Sequence, residues 1–351
     1  MKDIIGIGLI GAGRAGMIHA ENFVSRVPGA RMAGVADNSE EAAKKAADRL
    51  HIPYWYTDYR KLLQNPEIDA VIVVTPTKYH KEIVLDAAAA GKHILCEKPM
   101  AMNSEECKEM IQAAEEHQVK LQIGFMRRFD KNFRKAKEII DSGEIGQVVM
   151  VKSLTHGPST PREWMYDIEK SNGPLAEVNS HDIDTMRWLA DSEAVSIHAM
   201  AGNFRCREAA ENYPDFYDTV LMNVRMANGA ICNIDGAQGV RYGYDARVDV
   251  LGTKGLVQIG GLKETTTVSC TKEHGMSSGI IASWTDLFSE AYVQEDISFV
   301  RCILEDTEPE VTGYDGWKAV EIVKAGNRSI KTGGIINLNE KEKPVGEEKK
   351  C

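Results

Sequence analysis

The chain has 351 residues, of which 43% are hydrophobic and 27% are charged, and its formal net charge is −10. This composition is typical of a globular protein with a large core, and the length predicts two domains. The negative net charge argues against binding to nucleic acid or to an anionic membrane.

The N-terminus and the cysteine pattern predict a cytoplasmic protein. Residues 1–3 run directly into a short apolar strand rather than a signal peptide, and no apolar run approaches the ~18 residues of a membrane span. The seven cysteines form no CxxC pair, and the nine histidines form no HExxH motif. We therefore expect reduced thiols and no metal site.

Strands and helices alternate through the first 125 residues. Apolar runs separated by amphipathic segments predict a parallel sheet that is covered on both faces. We therefore expect a doubly wound α/β domain of the Rossmann type at 1–125. The predicted strands are 4–10, 31–36, 70–74, 93–96 and 121–125, and the predicted helices are 14–27, 39–50, 78–90 and 104–117.

The pattern changes after residue 125. Short alternating segments joined by turns such as Asn228-Gly229 predict an open, mostly antiparallel sheet. Residues 126–340 are thus expected to form an α+β domain for substrate binding or subunit packing, and 341–351 a charged tail. The predicted strands are 148–155, 196–201, 219–225, 230–236, 247–252 and 255–259, and the predicted helices are 131–141, 175–189, 288–304 and 316–329.

The segment Gly11-Ala-Gly13-Arg14-Ala15-Gly16 follows an apolar strand and opens a helix, which is the context of a dinucleotide-binding turn. Gly11 permits the tight turn, Gly13 lets the main chain approach a pyrophosphate, and Gly16 lets helix and strand pack closely. The free N–H groups at the start of the helix, around Arg14 and Ala15, then face the phosphates.

An acidic residue ends the second predicted strand, about 20 residues after the glycine turn. Asp37 is placed to accept hydrogen bonds from the ribose hydroxyls of the cofactor, and it would repel the 2′-phosphate of NADP. No arginine follows it to bind that phosphate. The sequence therefore favours NAD over NADP.

Two further strand ends lie at the edge of the sheet where ligands of doubly wound folds bind. Thr75 and Pro76 form a turn that places main chain beside the cofactor, although a simple strand-to-helix turn fits the same residues. His80, in the first turn of the next helix, is either a cofactor neighbour or a surface residue. Glu97 and Lys98 follow the next strand, at the same cofactor edge, where Pro99 favours an extended backbone. Glu97 is expected either to anchor Lys98 or to contact the cofactor.

Seven motifs occur in order along nearly the whole chain: GAGRAG (11–16), TPT (75–77), CEKPMA (96–101), GFMRRFD (124–130), SHDID (180–184), YGYD (242–245) and DGWKAVEI (315–322). In these motifs the chain resembles the glucose-fructose oxidoreductase/inositol dehydrogenase (Gfo/Idh/MocA) family, and most closely its inositol 2-dehydrogenase type. The resemblance implies a Rossmann domain followed by an open-sheet domain, and NAD(P)-dependent oxidation or reduction of sugar or cyclitol hydroxyls.

Oxidation of a secondary alcohol needs a base for the hydroxyl proton and a positive group beside the developing alkoxide. Lys98 and His181 match the family's catalytic lysine and histidine. Glu177 lies four residues before His181, so on the predicted helix both share a face, where the carboxylate would orient the imidazole and favour its protonated form. The family usually has aspartate at this position, so the longer side chain of Glu177 puts that role in question.

Several polar and aromatic residues are candidates for binding a sugar or polyol, each with a structural alternative. One of Arg127 and Arg128 is expected to reach the pocket and the other to be a salt-bridged hinge residue, and Asp182 could instead be a buried polar group at the core. The tyrosines could equally pack in strands. The candidates are Arg127, His156, Trp164, Asp182, Tyr242 and Tyr244.

The sequence thus predicts an NAD-dependent dehydrogenase that oxidises a hydroxyl of a cyclic, inositol-like polyol. One alternative is a pyranose or glycoside dehydrogenase with the same residues, and another is a non-catalytic sensor of NAD or sugar. By analogy with the family, the broad open sheet suggests a homodimer or homotetramer.

Overall fold

A computed structural model describes residues 4–338. The predicted charged tail at 341–351 lies outside the described residues. Within the described part of the chain, no helix is long and apolar enough to cross a membrane. The six cysteines in that part are free thiols.

The first sheet has six parallel strands in the order β3-β2-β1-β4-β5-β6. This is the predicted doubly wound arrangement, in which the order reverses between β1 and β4 and leaves a crevice for a dinucleotide. The strands are β1 (Ile5–Ile10), β2 (Ala30–Ala36), β3 (Tyr54–Tyr56), β4 (Ala70–Val73), β5 (His93–Glu97) and β6 (Leu121–Gly124). The helices around it are α1 (Arg14–Ser25), α2 (Glu40–Leu50), α3 (Tyr59–Leu63), α4 (His80–Ala89) and α5 (Ser104–Glu116).

The central strands of this sheet form because they are apolar on both faces. All six residues of β1 and all four of β4 are buried. Helix α2 begins where the sequence predicts, with the Ser39 hydroxyl accepting a hydrogen bond from Ala42 N at 3.3 Å. The prediction omits β3 and α3, because β3 is an edge strand of three mostly exposed aromatic residues.

The second sheet has seven strands in the order β12-β11-β7-β10-β9-β8-β15. Only β7 and β10 pair in parallel, so the predicted mostly antiparallel sheet is confirmed. The strands are β7 (Val148–Gly157), β8 (Ala194–Gly202), β9 (Thr219–Met226), β10 (Ile231–Gln238), β11 (Asp245–Gly252), β12 (Leu256–Ile259) and β15 (Ile336–Asn337), with a separate hairpin of β13 (Ser269–Thr271) and β14 (Gly275–Ser277). The helices are α6 (Lys131–Asp141), α7 (Glu163–Tyr166), α8 (Ile168–Ser171), α9 (Gly173–Glu177), α10 (Ser180–Ala190), α11 (Trp284–Leu304) and α12 (Gly313–Thr332).

The predicted helix at 175–189 is in fact two helices, α9 and α10. The chain breaks at Asn179, whose N–H bonds to the carbonyl of Pro174, five residues back, at 3.1 Å. Its side chain turns to the Asp182 carboxylate at 2.8 Å. It also packs over Gly236 of β10, where a Cβ would lie 2.2 Å from Asn179 Oδ1. Contacts across the domain thus override the local helix propensity.

Helices α10 and α12 pack on one face of the second sheet, against β7 and β8. We call this the inner face and the other the open face. Side chains alternate between the two faces along each strand. Ser153 and Thr155 of β7 therefore point to α10, where both donate hydrogen bonds to Asp182.

Helix α11 of the second domain packs on α1 of the first and buries a group of ionisable side chains there. The group consists of His19, Glu97, Glu295 and Asp296, and none of these residues is more than 5% exposed. His19 Nδ1 lies 2.7 Å from Asp296 Oδ1, and His19 Nε2 lies 3.2 Å from Glu97 Oε1. Neither carboxyl oxygen of Glu295 has a partner among the described residues.

Burial and the neighbouring Glu97 charge raise the pKa of Glu295 well above its usual value near 4.5. The folded state therefore holds a proton that the unfolded chain releases above that pH. Stability conferred by this group is consequently lost as the pH rises above about 4.5, at up to about 1 kcal/mol per pH unit.

We expect Glu295→Gln to raise the melting temperature, because the amide needs no proton to stay neutral. The gain over wild type should widen from pH 5 to pH 8, as measured by thermal unfolding in matched buffers.

Glu290→Gln, at an exposed position of the same helix, is the control and should give a constant difference over this range, because nearby Arg26 lowers the pKa of Glu290. A pH-independent effect at position 295 would mean that Glu295 is ionised.

Candidate functional site

The glycine turn has the geometry of a dinucleotide site. Gly11 has φ +103°, and a Cβ there would lie 2.5 Å from the carbonyl oxygen of Val74. A Cβ on Gly16 would lie 2.0 Å from the carbonyl oxygen of Gly11, so only glycine allows this close packing. By contrast, nothing lies within 4 Å of a Cβ on Gly13. The space in front of Gly13 is therefore open for a pyrophosphate.

The start of α1 suits an anion. Its N-cap, Gly13, provides no capping side chain, and no acidic residue lies in the first turn. Arg14 and Ala15 follow with free N–H groups at the positive end of the helix dipole. The Arg14 guanidinium lies over the ring of Trp284, 5.2 Å from its centroid, which joins this turn to α11 of the second domain.

Asp37 lies beside this turn, as the sequence predicts. Its Oδ2 accepts a hydrogen bond from Ala12 N at 2.8 Å, and its Oδ1 accepts one from Ser39 N at 2.9 Å. Each carboxylate oxygen keeps a further lone pair, so the side chain is held in place and still able to accept from ribose hydroxyls. An open cleft of about 620 Å³, lined in part by Gly13, Arg14 and Ser39, adjoins it. These residues fit NAD.

The turns after β4 and β5 are tied together by His80. Its Nδ1 lies 3.0 Å from the Pro99 carbonyl oxygen and its Nε2 2.7 Å from that of Thr75. His80 is 1% exposed and links the two turns, and its contact with the cofactor stays a prediction. Thr75 Oγ1 is buried without a partner among the described residues, and Pro76 is exposed beside it. Both are consistent with the predicted cofactor edge.

Glu97 points into the interior. One carboxylate oxygen faces His19, and the other accepts a hydrogen bond from Lys98 N at 3.0 Å. The carboxylate thus holds the main chain at Lys98, which is one of the two roles expected for Glu97, and contact with the cofactor stays a prediction.

Lys98 joins the two domains. Its Nζ donates a 2.7 Å hydrogen bond to the main-chain carbonyl oxygen of Glu177, the last residue of α9. The last carbonyls of a helix are unpaired within the helix and carry partial negative charge, so they hold an ammonium well. The half-buried lysine is therefore fixed at the boundary between the domains.

His181 is buried close to Lys98. Burial, followed by the positive charges of Lys98 and Arg127, lowers the pKa of His181 well below its usual value. The ring packs edge-on against Phe125, with centroids 6.0 Å apart, and its Nδ1 has no partner among the described residues. A neutral imidazole in this position is able to accept a hydroxyl proton.

The predicted partnership of Glu177 and His181 on one helix is wrong, because the two residues lie in α9 and α10. Glu177 is not among the groups that shift the pKa of His181, so it does not favour the imidazolium. Burial raises the pKa of Glu177 itself, and the Lys98 charge opposes this shift. Glu177 Oε1 is buried without a partner in the described part of the chain. It is an unused hydrogen-bonding group near Lys98.

The predicted substrate contacts of Arg127 and Asp182 are corrected by their burial. They are 1% and 0% exposed, and Arg127 Nη1 lies 2.8 Å from Asp182 Oδ1. The pair also bonds to side chains of β7, which fixes the start of α10. Arg128, the alternative candidate, forms a bidentate ion pair with Asp184 at 2.9 and 2.6 Å, so it too is a structural residue.

His156 and Tyr242 lie on the open face of the second sheet, and their contact with the substrate stays a prediction. His156 follows the inward-facing Thr155, and its Nε2 lies 2.9 Å from Asp235 Oδ1 on the open face. Its Nδ1 lies 2.5 Å from the Tyr242 hydroxyl. Within one chain, both side chains are therefore separated from His181 by the sheet.

The remaining two aromatic candidates, Tyr244 and Trp164, differ in their exposure. Tyr244 is buried in the core and packs edge-on against Phe288 at 6.4 Å, which corrects its predicted substrate contact. Trp164 is 40% exposed on α7. The following helix, α8, packs against the turn 77–79 at the cofactor edge. A role for Trp164 in covering the substrate stays a prediction.

His19 is the residue that sequence reasoning missed. It lies on the buried side of α1 with Gly16, Ala20 and Phe23. The available signal was a histidine on an otherwise apolar helix face, directly behind the glycine turn. Its partners, on β5 and α11, are 78 and 277 residues away in the chain, so no local pattern reveals them.

Comparison with known proteins supports these assignments of fold and cofactor. Residues 5–125 match the oxidoreductase family with an NAD-binding Rossmann fold (Gfo/Idh/MocA), and residues 133–258 match the Gfo/Idh/MocA C-terminal domain. The chain is 34% identical to the scyllo-inositol 2-dehydrogenase (NAD(+)) of Bacillus subtilis (strain 168) over 346 residues, covering 99% of this chain and 100% of that protein.

Two further relatives agree. The chain is 31% identical to the myo-inositol 2-dehydrogenase of Thermotoga maritima over 334 residues, which cover 95% and 98% of the two proteins. The crystal structure of myo-inositol dehydrogenase from Lactobacillus casei in complex with NAD(H) and myo-inositol superposes with a TM-score of 0.86 at 28% identity, covering 97% and 99% of the two chains. The motifs, the fold and these relatives together show that this chain belongs to the Gfo/Idh/MocA family of NAD-binding oxidoreductases.

Proposed function

We propose that this protein oxidises a secondary hydroxyl of an inositol to a ketone, with Lys98 and His181 as catalytic residues. The observation that carries the proposal is the fixed position of the Lys98 ammonium next to a neutral, buried His181. The inositol dehydrogenases among the relatives support this class of substrate.

The arrangement assigns separate tasks to the side chains. NAD, when bound, accepts the hydride from the carbinol carbon. The imidazole of His181 accepts the hydroxyl proton, and the Lys98 ammonium stabilises the negative charge that develops on the oxygen. The neutral state of His181 is required for the first task, and its burial provides it. The product is a ketone, and the enzyme retains the proton until it is released to water.

Unpaired polar groups beside Lys98 suit a substrate with several hydroxyls. Glu177 Oε1 and His181 Nδ1 are buried and lack partners among the described residues. Leaving such groups unpaired costs free energy, and a polyol would satisfy them. This argument favours a polyhydroxylated ring over a simple alcohol, and the position of Glu177 suggests that it binds a hydroxyl next to the reacting one.

We expect Lys98→Met to lower kcat roughly 10²–10³-fold, because the developing alkoxide loses its positive partner. The dissociation constant for NAD should change little, because the glycine turn and Asp37 are unaffected. The measurement is NADH formation with a panel of inositols, glucose and glucosides, together with NAD binding by fluorescence titration.

Lys108→Met, at an exposed lysine of α5, is the control and should leave kcat unchanged. Undiminished turnover in Lys98→Met would remove Lys98 from the mechanism. If wild type acts only on glucose or glucosides, the substrate is a pyranose instead, and a silent panel with normal NAD binding would indicate a sensor.

We also infer that copies of the chain associate through the open face of the second sheet. No described helix packs there, and large apolar side chains are exposed on five of its strands: Met200, Leu221, Ile231, Leu251 and Leu256. Met200 pairs with Leu221 across two strands, and Ile231, Leu251 and Leu256 lie in a second row of exposed apolar side chains. Exposed apolar patches of this kind favour a homodimer or homotetramer.

We expect Leu221→Lys/Ile231→Lys to convert the oligomer to a monomer, because association would bury two added charges in place of apolar side chains. Size-exclusion chromatography with light scattering measures the mass. Val24→Lys, at an exposed apolar position of α1, should leave it unchanged. A monomeric wild type, or a double variant that stays oligomeric, would contradict this interface.

A further inference from the structure

A continuous line of side chains runs from the second domain to Lys98. Asp296 Oδ1 lies 2.7 Å from His19 Nδ1, and His19 Nε2 lies 3.2 Å from Glu97 Oε1. The other oxygen of Glu97 accepts the hydrogen bond from Lys98 N at 3.0 Å. These three contacts connect α11, α1 and the end of β5.

We propose that His19 is a positioning residue for Lys98, and that it links this lysine to the helix whose N-terminus binds the cofactor phosphates. The inference rests on the proposed function, since it assumes that Lys98 acts on the substrate. His19 itself touches neither cofactor nor substrate in this account; it acts by holding the Glu97 carboxylate.

Burial restricts the movement of the side chains of Asp296, His19 and Glu97. His19 and Asp296 are 0% exposed, and Asn22, one turn further along α1, donates a 2.9 Å hydrogen bond to Asp296 Oδ2. The ring of His19 also packs edge-on against Tyr292, with centroids 5.3 Å apart. A buried and fully bonded histidine has few alternative positions, so it holds Glu97 in one orientation.

The charges in the line are complementary. An imidazolium between two carboxylates satisfies both ring N–H groups and both acids, whereas a neutral ring could donate to only one of them. Burial disfavours the charged ring, but the carboxylates of Asp296 and Glu97 outweigh it and raise the pKa of His19 well above its usual value. The ring is therefore charged at neutral pH, and each contact is a charge-assisted hydrogen bond.

The contact of His19 with Glu97 would affect catalysis by fixing the position of the main chain at Lys98. The Nζ of Lys98 is held by the Glu177 carbonyl at one end of the residue, and its N–H is held by Glu97 at the other. Loss of the second restraint lets the ammonium move relative to the substrate while the glycine turn stays intact. Displacements of about 1 Å at a catalytic group lower rates by roughly 10²-fold.

Two substitutions separate the two contacts of His19. In His19→Asn, the amide nitrogen takes the place of Nδ1, so the bond to Asp296 is kept and the bond to Glu97 is lost. In His19→Gln, the amide nitrogen takes the place of Nε2, so the bond to Glu97 is kept. We expect kcat to fall roughly 10- to 100-fold in His19→Asn, with KM and the dissociation constant for NAD nearly unchanged, and to be largely restored in His19→Gln.

Asn22→Ala is the matched control, because it removes the other partner of Asp296 from the same helix and leaves the contact of His19 with Glu97. It should lower the melting temperature without lowering kcat. If all three variants lose kcat in proportion to their loss of stability, or if His19→Asn keeps full kcat, the positioning role is wrong.

Hydrogen exchange of the peptide that contains Lys98 gives a readout that does not depend on activity. Faster exchange of the Lys98 amide in His19→Asn than in wild type and His19→Gln supports the link, even if no inositol is turned over and the proposed function fails. Equal exchange in all three proteins would overturn it.

Metal analysis of the purified protein is also needed, because His19, Glu97 and Glu295 bring three ligand atoms within 4.8 Å of one another. A stoichiometric bound metal would make His19 a ligand and overturn the proposal.

Discussion

The hydrogen bond from the Lys98 ammonium to the last carbonyl of α9 is the interaction on which the site depends. It joins the carboxyl edge of the parallel sheet, where a doubly wound fold binds its ligands, to the segment of the second domain that carries Glu177 and His181. Neither domain contains a complete site alone. The first supplies the glycine turn and the lysine, and the second supplies the carboxyl and imidazole groups that face it.

The charge states of the side chains at the boundary between the two domains depend on burial as much as on ion pairing. Burial, followed by the positive charges of Lys98 and Arg127, lowers the pKa of His181 well below its usual value. Arg127 forms an ion pair with Asp182, whose bonds to Arg127, Ser153, Thr155 and Asn179 fix the start of α10. The buried ion pair therefore fixes the segment that carries His181.

Sequence reasoning was strongest where function demands a local backbone pattern. The glycine turn, Asp37 and the strand end at Lys98 each depend on a few consecutive residues, and both sheets follow from the alternation of apolar segments. It failed where the structure is determined by contacts between elements that are far apart in the sequence. Asn179, bonded to Asp182 and packed on Gly236, breaks the helix expected to pair Glu177 with His181. The face on which His156 points depends on the register of β7 and β10, which its neighbouring residues do not reveal. His19 has both of its partners in other elements, so only the fold exposes its connection to Lys98.

The most direct test of the central claim is a crystal structure of the protein with NADH and an inositol. We expect one ring hydroxyl within hydrogen-bonding distance, about 3 Å, of both Lys98 Nζ and a nitrogen of His181, with a neighbouring hydroxyl on Glu177. An inositol bound beside His156 and Tyr242 on the open face, or bound near the cofactor without contact to Lys98, would contradict it.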